Sequence, residues 1–131
     1  MLTVKTIVET VYAKWCEALK DMVGDNVSME NSGTVSVFPY ATCRFLGLTT
    51  DSADLEGNEG TVMPTVQIDI YTSGQRALSK GYEIDEKSHA ALLGMGFRRS
   101  YGPELIQATD PSIKRLASRY TRVIGFGDSL S

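Results

Sequence analysis

One histidine, two cysteines and scattered carboxylates and arginines are the groups in this sequence that could act on a substrate or hold an ion. His89 could serve a Ser-His-Asp arrangement, because such triads assemble in space rather than in sequence. No Gly-x-Ser-x-Gly elbow is present to supply the nucleophile, so a satisfied helix histidine is the plainer reading. Metal sites gather several Cys or His ligands at short spacing. Cys16 and Cys43 stand apart, so no metal and no cofactor is expected. Asp51, Asp54, Glu56 and Glu59 form an acidic run that could attract calcium. It lacks the EF-hand order of oxygen ligands at positions one, three and five with glycine at six. A solvated or intersubunit loop fits it better. Gly125-Phe126-Gly127 is too short and too near the C-terminus for a phosphate or dinucleotide loop. Asp69 could be a lone general base; otherwise it faces solvent or pairs with a neighbouring base such as Arg44. With no nucleophile, base and oxyanion site assembled, the chain does not read as an enzyme.

Charge is the stronger signal. Between Phe97 and Ile124 six bases meet two acids, a net +4, while the rest carries seven bases and fourteen acids, a net −7. Arg98, Arg99, Arg115, Arg119 and Arg122 lie in the basic segment, with Tyr101 and Tyr120 among them. Arginines beside aromatic rings are how proteins grip single-stranded nucleic acid. A nucleic-acid-binding module using this hairpin is therefore the alternative function. The acidic whole, with a sequence pI near 5.1, weighs against it. The other reading is arginines meeting acids, on this chain or on another copy.

These residues need elements to position them. Val66, Ile68 and Ile70 alternate with Thr65, Gln67, Asp69 and Tyr71. That period of two makes a strand with one apolar and one polar face, expected at the centre of an antiparallel sheet. Val4, Ile7, Val8, Val11, Trp15, Ala18, Leu19 and Met22 give a helix over 3–23, stopped by Gly24, with Trp15 as a core anchor. Residues 25–34 read as a loop or short edge piece. Residues 35–38 read as an edge or lead-in before Pro39, and 40–48 as a main strand with Cys43 buried in it. A second helix runs over 74–93, with Ala77, Gly81, Ile84, Ser88, Ala91 and Met95 on its inner face. Gly81, costly in a helix interior, implies close packing or a kink. Strands follow at 97–101 and onward past Gly102-Pro103, then a turn at Asp110-Pro111-Ser112. Residues 113–124 fit helix or strand, and the strand reading is preferred for Tyr120-Thr121-Arg122-Val123-Ile124.

The expected fold is α+β: an antiparallel sheet of four to five strands with two helices packed against it. At 131 residues it makes one domain, 1–127, with a flexible C-terminal tail at 128–131. The two cysteines suit a reduced, cytosolic setting. Met1-Leu2-Thr3-Val4-Lys5 is no basic lead into an apolar core, so no signal peptide is expected. No apolar run approaches the roughly 18 residues of a membrane helix.

Gly96-Phe97-Arg98-Arg99-Ser100-Tyr101-Gly102-Pro103-Glu104, then Arg115, Arg119-Tyr120 and Val123-Ile124, resembles tail-completion proteins of long-tailed phages and prophages. More narrowly it resembles tail terminators, often filed as minor capsid proteins. The order of helix, FPYATCRF strand, acidic loop, VQIDIYTSG strand and helix ending at GMGF resembles the same family over nearly the whole chain. The resemblance implies a structural virion protein with no catalytic role. It implies a hexameric ring at the head-proximal end of the tail that stops tube polymerisation and presents the head–tail joining surface. Its partners would be further copies of itself, the tail-tube protein and the head connector or completion protein. DNA would only pass through the ring, no membrane is involved, and assembly would occur in the host cytoplasm. A ring needs two different patches that meet between copies. Asp51, Asp54, Glu56 and Glu59 are the candidates for one patch; Arg98, Arg99, Arg115, Arg119 and Arg122 are those for the other. Reversing Arg115 and Arg119 to Glu is then expected to impair the ring and leave the monomer folded.

Overall fold

The computed structural model describes residues 3–30, 37–51, 61–107, 110–125 and 128–130. Helix α1 spans Val4–Val23. The Thr3 hydroxyl caps it by accepting from the Thr6 N–H at 3.1 Å. Gly24, at φ 59°, closes it with an N–H donated to the Lys20 carbonyl. The buried stripe is Ile7, Val11, Trp15, Leu19 and Val23, one residue per turn, and Val4 is exposed.

A short strand β1, Val27–Ser28, follows. Strands β2, Tyr40–Asp51, and β3, Thr61–Ser73, pair as a long hairpin with a bulge between Phe45 and Gly47. Helix α2 spans Ala77–Gly94. It starts three residues later than the periodicity predicts, because Gly74 and Arg76 sit at positive φ and form the preceding turn. Strand β4 is Arg98–Ile106, β5 is Ile113–Thr121 and β6 is Ile124–Gly125. The Ser112 N–H donates to the Asp110 carboxylate at 2.9 Å, forming the expected turn before β5.

The fold is α+β as expected, but the sheet has six strands among the described residues and is mixed. Its order is β1-β2-β3-β5-β4, with β6 added to β3. The β1–β2 pair is parallel, so the expectation of a purely antiparallel sheet is corrected. The cause is local: after α1 the chain turns at Gly24 and lays Val27–Ser28 beside Ala41–Thr42, running the same way. Residues 113–121 form a strand, paired to β3 on one side and β4 on the other.

Both helices pack on one face of the sheet. Trp15, Leu19, Ile84 and Leu92 meet Ala41, Cys43, Val66, Ile68, Ile70, Leu116 and Tyr120 there. On α2 it is Leu92 rather than Ala91 or Leu93 that is buried. Gly81 faces Leu116: a Cβ at this position would lie 3.1 Å from Leu116 Cδ1. The missing side chain therefore lets α2 approach β5. Of the tail expected to fray, Leu130 is buried, and Lys14 Nζ donates to its carbonyl at 3.2 Å.

Candidate interaction surface

The side of the sheet away from the helices carries the polar residues of β3, and the central two are not solvated. Asp69 is wholly buried and Gln67 nearly so, which corrects the picture of a half-buried strand with one wet face. Arginine stems lying across the strands do the covering. Directly opposite Asp69 stand two small residues, Thr42 on β2 and Ala117 on β5. The space they leave admits long side chains from the diagonal positions. Arg44 reaches in from β2, with Nη2 3.3 Å from Oδ2. Arg115 reaches in from β5, with Nε 3.0 Å from Oδ1. Gln67 Nε2 donates to Oδ2 at 3.1 Å, and Arg119 Nε donates to Gln67 Oε1 at 3.0 Å.

Aromatic rings extend the network. The Arg115 guanidinium lies 5.7 Å from the Tyr71 ring centre, and that of Arg119 lies 5.6 Å from Tyr101. Tyr40 and Tyr71 pair at 6.0 Å. Burial pushes the Tyr71 phenol up, and the nearby Arg115 charge partly offsets this. Among the described residues, two buried side-chain atoms have no hydrogen-bond partner, Arg44 Nε and Thr42 Oγ1. This face is therefore a cationic surface with aromatic rings in it, set on the rigid centre of the sheet.

The basic hairpin is split by the sheet. Arg98 is exposed and stands opposite Thr121, in register with the Arg115–Arg119 face. Arg99 lies on the helix side, where Nη2 meets the Asp85 carboxylate at 3.0 Å and Nε donates to the Tyr120 hydroxyl at 2.9 Å. Arg122 is also occupied: it donates to the Met95 carbonyl at 2.6 Å and lies 3.7 Å from Asp128. The acidic group is placed only in part. Asp51 ends β2, while Asp54, Glu56 and Glu59 lie outside the described residues.

Sequence reasoning anticipated the Arg44–Asp69 pair but not the second arginine. Its signal was the inward period of Arg115, legible only once β5 was known to pair with β3. Asp85 was missed as well. It sits between Ile84 and Ser88 on the buried side of α2, and a carboxylate at such a position requires a cation. This placement changes the expected behaviour of one substitution. Arg115→Glu would set a second carboxylate against buried Asp69, so it perturbs folding as well as any surface. Among the described residues the Arg119 guanidinium meets neutral Gln67 and the Tyr101 ring, so reversing it tests the surface without touching Asp69.

The remaining chemical candidates have structural partners. His89 Nδ1 meets the Tyr120 hydroxyl at 3.0 Å, and Arg99 stands between that hydroxyl and Asp85. Trp15 Nε1 donates to Ser88 Oγ at 2.8 Å. Cys43 is buried, which pushes its thiol well above the usual range.

The sequence matches no protein-family model and no curated protein. Its fold is shared with a solved structure, a chain in the virion of a native gene transfer agent particle. The superposition covers 88% of this chain and 91% of that one, at a TM-score of 0.55 and 11% sequence identity. At that identity the likeness establishes a common fold.

Proposed function

We propose that this chain is a structural virion protein, a tail terminator or neighbouring head–tail joining protein, with no catalytic role. It assembles as a ring, hexameric by the family resemblance, on the head-proximal end of a tail. There it ends tube polymerisation and presents the surface that the head connector meets. DNA passes through the ring, and the tail-tube protein and head connector are its other partners. The observation that carries this reading is the fold shared, over nearly all of both chains, with a component of a virion particle. A second support is chemical: the polar face of the sheet carries arginines held by a buried carboxylate, and the hydroxyl that His89 meets, that of Tyr120, is itself bonded by Arg99.

The test is to add the purified chain to tail tubes that are still polymerising and to image them. The expected result is tubes that stop growing, with added density at one end. Tubes that continue to lengthen, with no density at either end, would count against the reading.

A further inference from the structure

We infer that the helix-free face of the sheet binds the phosphate backbone of nucleic acid, without reading its sequence. The inference does not need the ring, because one folded copy carries the whole face.

This face is not the basic hairpin that chain order suggests. Contacts remove Arg99 and Arg122, whose guanidiniums are taken by Asp85 and by the Met95 carbonyl. Register adds Arg44 from β2, opposite Gln67 on β3. Arg44, Arg98, Arg115 and Arg119 then share one surface, against Asp69 and Glu104. Four bases and two acids sum to +2. The whole chain carries −3, so everything else sums to −5. A polyanion is drawn to this face and repelled by the rest of the molecule.

The spacing fits a backbone. Arg44 and Arg119 stand opposite Gln67, Arg115 opposite Tyr71, and Arg98 shares the Thr65 register through Thr121. From Thr65 to Tyr71 is six residues, about 20 Å at roughly 3.3 Å each. From β2 to β4 is three strand spacings, about 14 Å at roughly 4.8 Å each. About 20 Å of duplex carries roughly six phosphates on one strand. Arginines at this spacing can follow that strand.

The donors are ready for oxyanions. Arg98 and Arg119 are exposed. Among the described residues Arg98 has no ionic or hydrogen-bonded partner, and Arg119 gives its Nε to Gln67. The Tyr101 ring, 5.6 Å from the Arg119 guanidinium, steadies it without using a donor. Asp69 holds Arg115 at 3.0 Å and Arg44 at 3.3 Å, so both are placed before a ligand arrives.

What the face lacks decides between partners. A protein partner is anchored by large side chains packed near the middle of the contact. The middle here is Thr42, Asp69 and Ala117, with arginines on either side. Of the well-exposed large apolar residues, Met63 and Tyr101 reach this face by register, and neither is central. Met63 lies beyond the Thr65 register, and Tyr101 is on the edge strand β4. A flat, arginine-covered surface with a polar centre suits a repeating anion.

Fluorescence anisotropy with a short labelled duplex of mixed sequence, over a potassium chloride series, tests this. The proteins are the wild type, Arg98→Gln with Arg119→Gln, Glu104→Gln, and Lys20→Gln with Lys87→Gln, each checked by a thermal melt. The two lysines are exposed on the helices, so the last variant makes the same charge change away from the face. The wild type should bind with a log–log salt slope of about −2 to −4, for two to four phosphates. The arginine pair should weaken binding about tenfold or more at low salt and flatten the slope by about 2. Glu104→Gln should tighten binding, and the lysine pair should change it less than about twofold. A duplex of unrelated sequence should bind alike. No binding at low salt, or equal losses from the arginine and lysine pairs, overturns the inference. So does capture of single strands with the duplex ignored, which would mean base stacking on the tyrosines. Polyglutamate held more tightly than the duplex also overturns it and gives the face to an acidic protein. Tube capping judges the virion reading separately in every case.

Discussion

The Asp69 carboxylate, wholly buried, lies 3.0 Å from the Arg115 guanidinium of the next strand. Arg44 meets it from the other side at 3.3 Å. Such a bridge repays its desolvation only when both sides are filled, and removing one partner leaves a charge without compensation. Asp69→Ala would leave two arginines facing each other across Thr42 and Ala117. The expected cost is about 3 kcal/mol, the low end for a broken buried pair because both arginines keep some water. Asp69→Asn keeps the size and loses the charge, so it should fall between the two. Urea midpoints of the three proteins check this. An Asp69→Ala midpoint equal to the wild type would show that the bridge contributes little.

Much of this arrangement was legible in the residues. The alternation from Thr65 to Tyr71 placed β3, and the stripe from Ile7 to Leu19 placed α1, because period reports directly on which face is buried. What the chain order could not convey was who lies next to whom. The parallel β1–β2 pair depends on the turn at Gly24 and Asn26, whose N–H groups bond back to Lys20 and Val23. The Arg99–Asp85 pair joins a strand to a helix fourteen residues away. The division of the arginines between two faces follows from register, and a one-residue slip would have exchanged them. A run of charge therefore pointed to a concentration of arginines, and which of them share a face needed the sheet.

Gly81 tests how tightly α2 sits on the sheet. In a helix interior, alanine is favoured over glycine by about 1 kcal/mol. Here the new methyl would meet Leu116 Cδ1 at 3.1 Å and Thr72 Oγ1 at 3.5 Å. Leu116 Cδ1 is the end of a flexible side chain and can yield a few tenths of an ångström. The two effects should nearly cancel, leaving Gly81→Ala within about 1 kcal/mol of the wild type. Gly81→Leu has no such escape and should cost about 2 kcal/mol or more by lifting α2 from β5. Thermal melts of the pair decide it. Equal stability for Ala and Leu would mean that the helix is free to move away.

Tyr120 gives the molecule an alkaline limit. Burial pushes its phenol up from 10 to about 12, although Arg99, donating to the hydroxyl, pulls the other way. In the unfolded chain the phenol ionises near 10, so between 10 and 12 the folded state holds a proton that the unfolded state has lost. Stability from this group is complete below pH 10 and falls as pH rises through 12. The melting temperature should therefore drop across that interval. Tyr120→Phe should start lower at neutral pH, because Arg99 and His89 lose the shared hydroxyl. It should then fall less steeply between pH 10 and 12. Melting curves of both proteins at pH 8, 10, 11 and 12 check the sign. Parallel slopes would assign the alkaline loss to the other groups raised by burial, Tyr12, Tyr71, Cys16 and Cys43, and leave Tyr120 with a packing role alone.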